Sequence, residues 1–248
     1  MDWEFLTKGS ANAVYRYCGK DSRLEGKVLR VRLKGNTIRT REVYEYLSSS
    51  LFDAIRHYML QIQLVSLDRQ LIKKLEEFSP QGVQLDTGDP EALLMDNVFK
   101  GPLSEYKLVK LNKYIVFYVK DEEVLFEFKP KWLYKPPKSF STCRNCAQAK
   151  MKNQSFVNCC LPLINGKEQT EQWFQRIIDE IQRLGLEKEI PLNSCRSGSS
   201  LLADLYNVIQ ALFRLQNKPG FDIHSVLKEL KGASDVDNFL LLSMTLKD

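Results

Sequence analysis

Two lysines on one predicted strand are the side chains of this chain best suited to phosphate chemistry. They lie in the stretch EFKPKWLY, which begins at Glu127. Because side chains of a strand alternate between its faces, we expect Glu127, Lys129 and Lys131 on one face and Phe126 and Phe128 on the other. Two ammonium groups would then meet one anionic ligand.

The positive charge of the chain is concentrated around these lysines. Residues 127–152 contain seven Lys or Arg and one acidic residue, whereas the whole chain has 36 basic and 31 acidic residues and a net charge of +5. A local cluster of this kind focuses a positive field on a polyanion. Nucleic acid, anionic lipid headgroups and phosphorylated metabolites all fit this charge.

A glycine-containing turn near the N-terminus is a second candidate site. Gly9, Ser10, Ala11 and Asn12 lie between two predicted strands, where a hairpin can fold over the phosphates of ATP. An ordinary hairpin turn is the alternative, because one glycine specifies only local backbone freedom. Arg30 favours the first interpretation, since it lies on the third strand, where a kinase fold places a phosphate-neutralising cation. The chain has no Walker A sequence and no protein-kinase signature.

Four cysteines form a third candidate site. They are spaced C-x2-C-x12-C-C and are Cys143, Cys146, Cys159 and Cys160. This spacing is compatible with a Zn²⁺ held by Cys143, Cys146 and Cys160 and a fourth ligand from elsewhere. The alternative is free thiols packed as small apolar groups. Both histidines, His57 and His224, are remote in sequence.

The composition indicates a folded, soluble protein. The chain has 248 residues, of which 44% are apolar, enough for a packed core. No run approaches the ~20 apolar residues that span a bilayer, and MDWEFLTKGS lacks the layout of a signal peptide. Six cysteines fit a reducing compartment better than a disulfide framework. We expect a monomer in the nucleus, the cytoplasm or both.

The elements that position these residues are predicted from periodicity. Three short strands open the chain between residues 3 and 33, and in the third both Arg30 and Arg32 should face away from the core. Helices are expected over 41–60 and 66–78, followed by a loop over 79–92.

The second half of the chain is predicted to be mostly helical after a strand pair. The strands should cover 105–120 and 123–131, and the helices should lie near 168–184, 199–216 and 222–231. Trp173, Ile177, Ile181 and Leu184 form the apolar stripe of one of these helices. The last stretch, NFLLLSMTLKD, reads as a buried strand ending on Asp248.

Taken in order, these segments resemble the inositol-pentakisphosphate 2-kinase family. The resemblance is carried by KGSANAVYRY, GKVLRVRL, EALLMDN, EFKPKWLY, CRNCAQAKMK and FLLLSMTLKD, and it runs over most of the chain. It implies ATP-dependent phosphorylation of the 2-hydroxyl of inositol 1,3,4,5,6-pentakisphosphate to give the hexakisphosphate. It also implies an α+β, two-lobed, distantly protein-kinase-like fold, with a β-rich N-lobe over 1–98 and a mostly helical C-lobe over 99–248.

The same resemblance assigns roles to individual residues. For the nucleotide it implies a loop formed by Gly9, Ser10, Ala11 and Asn12 and a phosphate contact from Arg30. It also implies a hinge at Met95, Asp96 and Asn97 and a further ATP contact from Arg196. For the inositol phosphate it implies Lys129, Lys131, Lys152 and Asn193. Asp248 would orient or deprotonate the attacking hydroxyl and bind Mg²⁺, and Lys129 would approach the transferred phosphate.

One departure from the family pattern bears on activity. In the family the strand that ends in Lys-Asp is followed by an Asp-Leu-Asp-like metal motif, and this sequence stops at Asp248. We therefore expect weak Mg²⁺ binding by the chain as it stands. Two alternatives remain at this point, a non-enzymatic zinc-stabilised module that binds RNA or another polyanion, and a truncated inositol phosphate binder.

Overall fold

The structure of the chain, a computed structural model, describes residues 2–112, 114–121, 123–128, 143–153, 159–190, 199–216 and 244–245. The described residues form two compact units, one up to Glu105 and one from Tyr106 onward. Both contain an antiparallel sheet and helices, so the fold is α+β. None of the described helices combines the length and the apolarity that a membrane crossing requires.

The first unit is built on a five-stranded antiparallel sheet with strand order β1-β2-β3-β5-β4. Its strands are β1 (Trp3–Lys8), β2 (Asn12–Tyr17), β3 (Lys27–Arg32), β4 (Ile62–Ser66) and β5 (Glu91–Asp96). The three predicted N-terminal strands are confirmed. β4 and β5 were not predicted, because each is a short apolar run without a clear period-two pattern.

One face of this sheet holds the core of the unit. Helix α2 (Arg69–Glu77) begins at Asp68, whose carboxylate accepts a hydrogen bond from the Leu71 N–H at 2.6 Å. It buries Ile72 and Leu75 in the hydrophobic core cluster, which packs against the face of the sheet from which the Tyr15 side chain projects. Truncation of a side chain in this cluster to alanine would cost about 2–5 kcal/mol.

On the opposite face of the sheet, Arg32 is buried, although its side chain was predicted to face away from the core. Arg32 shares that face with Arg30, as expected, but it is only 8% exposed. The loop before β5 returns over it, so that its guanidinium pairs with Asp86 at 3.1 Å and Asp89 at 3.3 Å. Alternation along the strand determines the face of a side chain, whereas the elements above that face determine its exposure.

The predicted helix over 41–60 is divided in two. Helix α1 (Thr40–Ser48) ends at the extended residue Ser49, and a 3₁₀ helix follows over Ser50–Tyr58. Serine competes with the backbone for hydrogen bonds and favours such breaks. The Arg56 guanidinium also donates to the carbonyl of Ser49 at 2.6 Å and to that of Ser48 at 3.1 Å, which satisfies acceptors that the broken helix leaves unpaired.

The second unit contains a four-stranded antiparallel sheet with strand order β6-β7-β8-β9. Its strands are β6 (Lys107–Asn112), β7 (Ile115–Lys120), β8 (Glu123–Phe128) and β9 (Met244–Thr245). The single strand predicted over 105–120 is therefore two strands. The Asn112 side-chain oxygen accepts from the backbone N–H groups of Tyr114 at 2.7 Å and Ile115 at 3.0 Å, which fixes a turn at that point.

Three described helices follow in the second unit: α3 (Arg144–Met151), α4 (Lys167–Arg183) and α5 (Ser199–Gln216). The predictions near 168–184 and 199–216 are confirmed, while α3 was not predicted and 222–231 lies outside the described residues. Trp173 is fully buried on α4, and its ring lies 4.6 Å from that of Phe128 on β8. Leu184, predicted within the apolar stripe, follows the last turn of α4 and is exposed.

Candidate functional site

The predicted nucleotide turn is an exposed hairpin tip with a fixed base. The Gly9 N–H donates to the Asn12 carbonyl at 2.8 Å and closes the turn between β1 and β2. Behind the tip, the Ala11 carbonyl accepts from the Leu33 N–H at 2.7 Å and from the Asn36 side-chain amide at 3.2 Å. Gly9 and Ser10 are exposed. Backbone held in this way can be presented to an anion without further ordering.

Arg30 lies beside this turn. In the antiparallel register of β2 and β3, Val14 pairs with Arg30 and Asn12 pairs with Arg32, so Asn12 and Arg30 are diagonal neighbours on one sheet face. With the Asn12 amide assigned by its hydrogen bonds, its oxygen accepts from Arg30 Nη2 at 2.8 Å and Nε at 3.2 Å. The guanidinium is thereby oriented next to the hairpin.

The predicted hinge residues follow from the same sheet. Arg30 pairs with Leu93 on β5, and Met95 lies two residues further on β5, so Arg30 and Met95 share a face. Asp96 forms an ion pair with Lys27 at the start of β3. The Asn97 N–H donates to the Gly26 carbonyl at 2.7 Å. The segment after β5 is therefore attached to β3, an attachment that depends on register and has no signal in the sequence.

Several residues predicted to bind the inositol phosphate, to bind ATP or to take part in catalysis lie outside the described residues. These are Lys129, Lys131, Asn193, Arg196 and Asp248. Lys152 is described and is exposed immediately after the last turn of α3. The roles predicted for all six residues stay predictions.

Glu127, which precedes the two lysines on β8, has a defined partner. The Tyr118 hydroxyl donates to the Glu127 carboxylate at 2.7 Å. Burial and the neighbouring Glu127 carboxylate raise the pKa of Tyr118 above its usual value, so the phenol stays protonated and keeps donating. Phe126 and Phe128 are buried on the other face, as predicted. Sequence reasoning did not identify Tyr118, because the pairing of β7 with β8 brings the two residues together.

The cysteine cluster has a different third member from the one predicted. The sulfurs of Cys143, Cys146 and Cys159 all lie within 4.8 Å of one another, and those of Cys143 and Cys159 are 3.7 Å apart. Cys160, which was predicted as the third ligand, does not belong to this group and is buried where a 3₁₀ helix begins. Spacing alone could not decide between two adjacent cysteines whose side chains leave the backbone in different directions.

Two thiols of this cluster, Cys146 and Cys159, have a raised pKa and are protonated in the absence of a cation. Burial raises the pKa of Cys146 and Cys159; the Cys143 thiol raises both further, whereas the hydrogen bond with Cys146 lowers the pKa of Cys159. Burial also raises the pKa of Cys160 to about 12. Among the described residues, these three sulfurs are the one group of at least three His, Cys, Asp or Glu side chains close enough to share a metal ion.

Comparison with known proteins agrees with the family suggested by the sequence. The profile of the inositol-pentakisphosphate 2-kinase family matches residues 5–218. The inositol-pentakisphosphate 2-kinase of Yarrowia lipolytica is 33% identical over 208 residues, which cover 82% of this chain and 66% of that protein. The enzyme of the same name from Debaryomyces hansenii is 28% identical over the whole chain and 74% of its own length.

A further relative of the same name, from Kluyveromyces lactis, is 22% identical over 72% of this chain and 68% of its own length. The chain therefore spans about two thirds to three quarters of the length of these relatives. The match of the family profile extends from the first strand to just beyond α5. By this match, the chain belongs to the inositol-pentakisphosphate 2-kinase family.

Proposed function

We propose that the chain transfers the γ-phosphoryl group of ATP to the 2-hydroxyl of inositol 1,3,4,5,6-pentakisphosphate. The names of the family and of its relatives support this reaction. The observation that carries the proposal is the common sheet face of Asn12, Arg30 and Met95 beside the exposed Gly9 turn. The match favours this kinase over an RNA-binding module and over an inositol phosphate binder without activity.

The order of elements in the first unit supports a kinase-like nucleotide site. A glycine hairpin comes first, Arg30 follows on the third strand, and helix α1 comes next and lies alongside β4 and β5. Protein kinases likewise cover ATP with a glycine-rich loop and hold its phosphates with a cation on the third strand. We propose on this basis that residues 1–98 form an N-lobe and residues 99–248 a C-lobe.

Phosphoryl transfer requires alignment and charge neutralisation more than covalent help. In the proposed reaction Arg30 and Arg196 bind the phosphates of ATP. The hinge at the end of β5, formed by Met95, Asp96 and Asn97, holds the base. Lys129, Lys131, Lys152 and Asn193 hold the inositol phosphate. Asp248 orients or deprotonates the 2-hydroxyl as it attacks.

ATP and Mg²⁺ are the proposed cofactors of the reaction. Mg²⁺ prefers carboxylate and phosphate oxygens as ligands. Among the described residues, the group of side chains close enough to share a metal ion consists of cysteine sulfurs, which are poor ligands for Mg²⁺. Asp248, the predicted carboxylate ligand of Mg²⁺, lies outside the described residues. A Zn²⁺ ion at the cysteines would serve the fold and not the reaction. Localisation in nucleus or cytoplasm and a monomeric state also stay proposals.

The nucleotide site is tested by exchanging Arg30 for alanine. A charged hydrogen bond contributes about 1.5–3 kcal/mol, so the R30A variant should lose about 10–100-fold in kcat/KM for ATP. R23A is the matched control, because Arg23 is an exposed arginine of the same unit that pairs with Asp21. Equal activity of the R30A and R23A variants would remove Arg30 from the site. Failure of the wild-type chain to form hexakisphosphate would reject the reaction itself.

A further inference from the structure

We propose that Asn36 is a positioning residue for the nucleotide hairpin, the turn over residues 9–12 between β1 and β2. Asn36 follows the turn after β3, and its side-chain amide reaches the hairpin, where it donates to the carbonyl of Ala11, 25 residues earlier in the chain, at 3.2 Å. The inference rests on the proposed nucleotide site. It adds a residue that holds the ATP loop from behind.

Two carbonyl groups fix the direction of the Asn36 amide. Its Nδ2 donates to the Leu33 carbonyl at 3.0 Å as well as to the Ala11 carbonyl. An amide nitrogen carries two hydrogens, so both are used, and the reverse orientation would place the side-chain oxygen against two acceptors. The side chain therefore forms a fixed bridge between the end of β3 and the hairpin.

Two features of the chain bring Asn36 to this position. Gly35 has a φ of +93°, in the left-handed region that glycine adopts at little cost, and it turns the chain back after β3. The Arg32 guanidinium donates to the backbone carbonyl of Asn36 and also pairs with Asp89, which is buried. The bridge is therefore attached to the interior of the first unit.

The Ala11 carbonyl is the point at which the hairpin is held. Its other donor is the Leu33 N–H at 2.7 Å, a backbone group that does not depend on the side chain at that position, whereas the Asn36 amide does depend on residue type. Gly9 and Ser10 at the tip are exposed, and glycine gives a backbone many accessible conformations. Loop freedom that is lost on binding lowers affinity, so a hairpin fixed beforehand should bind ATP more tightly.

A purely local role for Asn36 is the alternative. The hydrogen bond to the Leu33 carbonyl closes the turn after β3 and would stabilise that turn without the bond to Ala11. A local role affects the free energy of unfolding alone, whereas a positioning role also affects ATP affinity and the protection of the hairpin backbone. Asn36 carries no charge, so its effect on ATP affinity should persist at high salt, unlike a direct phosphate contact from an arginine.

The test compares ATP binding by the full wild-type chain with that of the N36L and N36D variants, measured by isothermal titration calorimetry. N36L keeps the approximate size of the side chain and removes both donors, and N36D keeps its shape and replaces the donors by an oxygen. Each variant should raise Kd for ATP about threefold to tenfold, as expected for the loss of one hydrogen bond. Neither should change KM for pentakisphosphate.

S79A is the matched control within the same unit. The Ser79 hydroxyl also makes two hydrogen bonds, with the Tyr15 hydroxyl at 2.8 Å and to the Leu75 carbonyl at 2.6 Å, but it lies on the core side of the sheet. The S79A variant should lower the free energy of unfolding and leave Kd for ATP unchanged. An equal rise of Kd in S79A and N36L would show a general effect of stability and overturn the positioning role.

Hydrogen exchange reports on the hairpin in the absence of nucleotide. The Gly9 N–H donates to the Asn12 carbonyl, and its exchange should accelerate about threefold to tenfold in N36L and stay unchanged in S79A. An unchanged Kd for ATP in both Asn36 variants would overturn the positioning role. A wild-type chain that binds no ATP would overturn the nucleotide site and this inference together. ATP binding and hydrogen exchange do not require phosphoryl transfer, so a failed kinase reaction and a failed role for Asn36 are distinguishable.

Discussion

The buried carboxylate of Asp89 holds together three elements of the first unit, and its removal is expected to be strongly destabilising. Asp89 is 4% exposed, and its Oδ2 accepts from the Thr40 N–H at 2.8 Å, the Thr40 hydroxyl at 2.9 Å and Arg32 Nη1 at 3.3 Å. It therefore joins the loop before β5 to the start of α1 and to the end of β3.

The size of the effect follows from what the substitution leaves behind. In the D89A variant the buried Arg32 guanidinium keeps Asp86 as a partner, and the buried Thr40 N–H loses its acceptor. Loss of the charged hydrogen bond to Arg32 costs about 1.5–3 kcal/mol, and the unsatisfied Thr40 N–H costs a further amount of about 1–3 kcal/mol. We expect the free energy of unfolding to fall by about 3–5 kcal/mol. The D89N variant keeps the shape and an acceptor, so it should lose less.

Urea unfolding followed by far-ultraviolet circular dichroism measures this difference. The control is D53A, because Asp53 forms an exposed ion pair with Arg56, and such a pair contributes about 0–1 kcal/mol. If the D89A and D53A variants lost the same free energy, the buried network would not be stabilising and the reasoning from burial would be refuted.

Three further substitutions test other parts of the structure. The K27M variant removes the ion pair with Asp96. Because both side chains are partly exposed, the free energy of unfolding should change by less than about 1 kcal/mol, while KM for ATP should rise. An unchanged KM for ATP would contradict the hinge assignment. The W173A variant should lose about 3–5 kcal/mol in denaturant unfolding, and a loss below about 1 kcal/mol would show that α4 does not anchor its unit. The K152A variant should raise KM for pentakisphosphate about tenfold or more and leave KM for ATP unchanged. The K150A variant, which removes the same charge from an exposed position on α3, should have a smaller effect. A larger effect of K150A than of K152A would contradict the role predicted for Lys152.

Local sequence patterns predicted the elements whose periodicity is strong. β1, β2 and β3 show alternation, and α4 and α5 show long apolar stripes, so their existence could be read directly. β4 and β5 were not predicted, because a run of five or six mostly apolar residues can form either a strand or a segment of a buried helix. The break after Ser48 escaped because it depends on Arg56 reaching back to carbonyl groups of the preceding helix.

The candidate sites show the same division between local and distant information. Gly9 and Arg30 were found from their order along the chain, but the contact of Arg30 with Asn12 comes from strand register. The burial of Arg32 depends on Asp89, 57 residues later in the chain. The choice of Cys159 over Cys160 depends on the direction in which each side chain leaves the backbone. These details depend on packing between residues that are far apart in the chain, and such contacts cannot be predicted from the local patterns of a single sequence.

The proposed reaction is tested most directly by following purified chain, ATP, Mg²⁺ and inositol 1,3,4,5,6-pentakisphosphate by ³¹P NMR. We predict loss of the ATP γ-phosphoryl signal together with a new phosphate on the 2-position of the ring, and no turnover in the D248A variant, which should still bind the pentakisphosphate. An unchanged pentakisphosphate, or a phosphate that appears at any other position, would contradict this function.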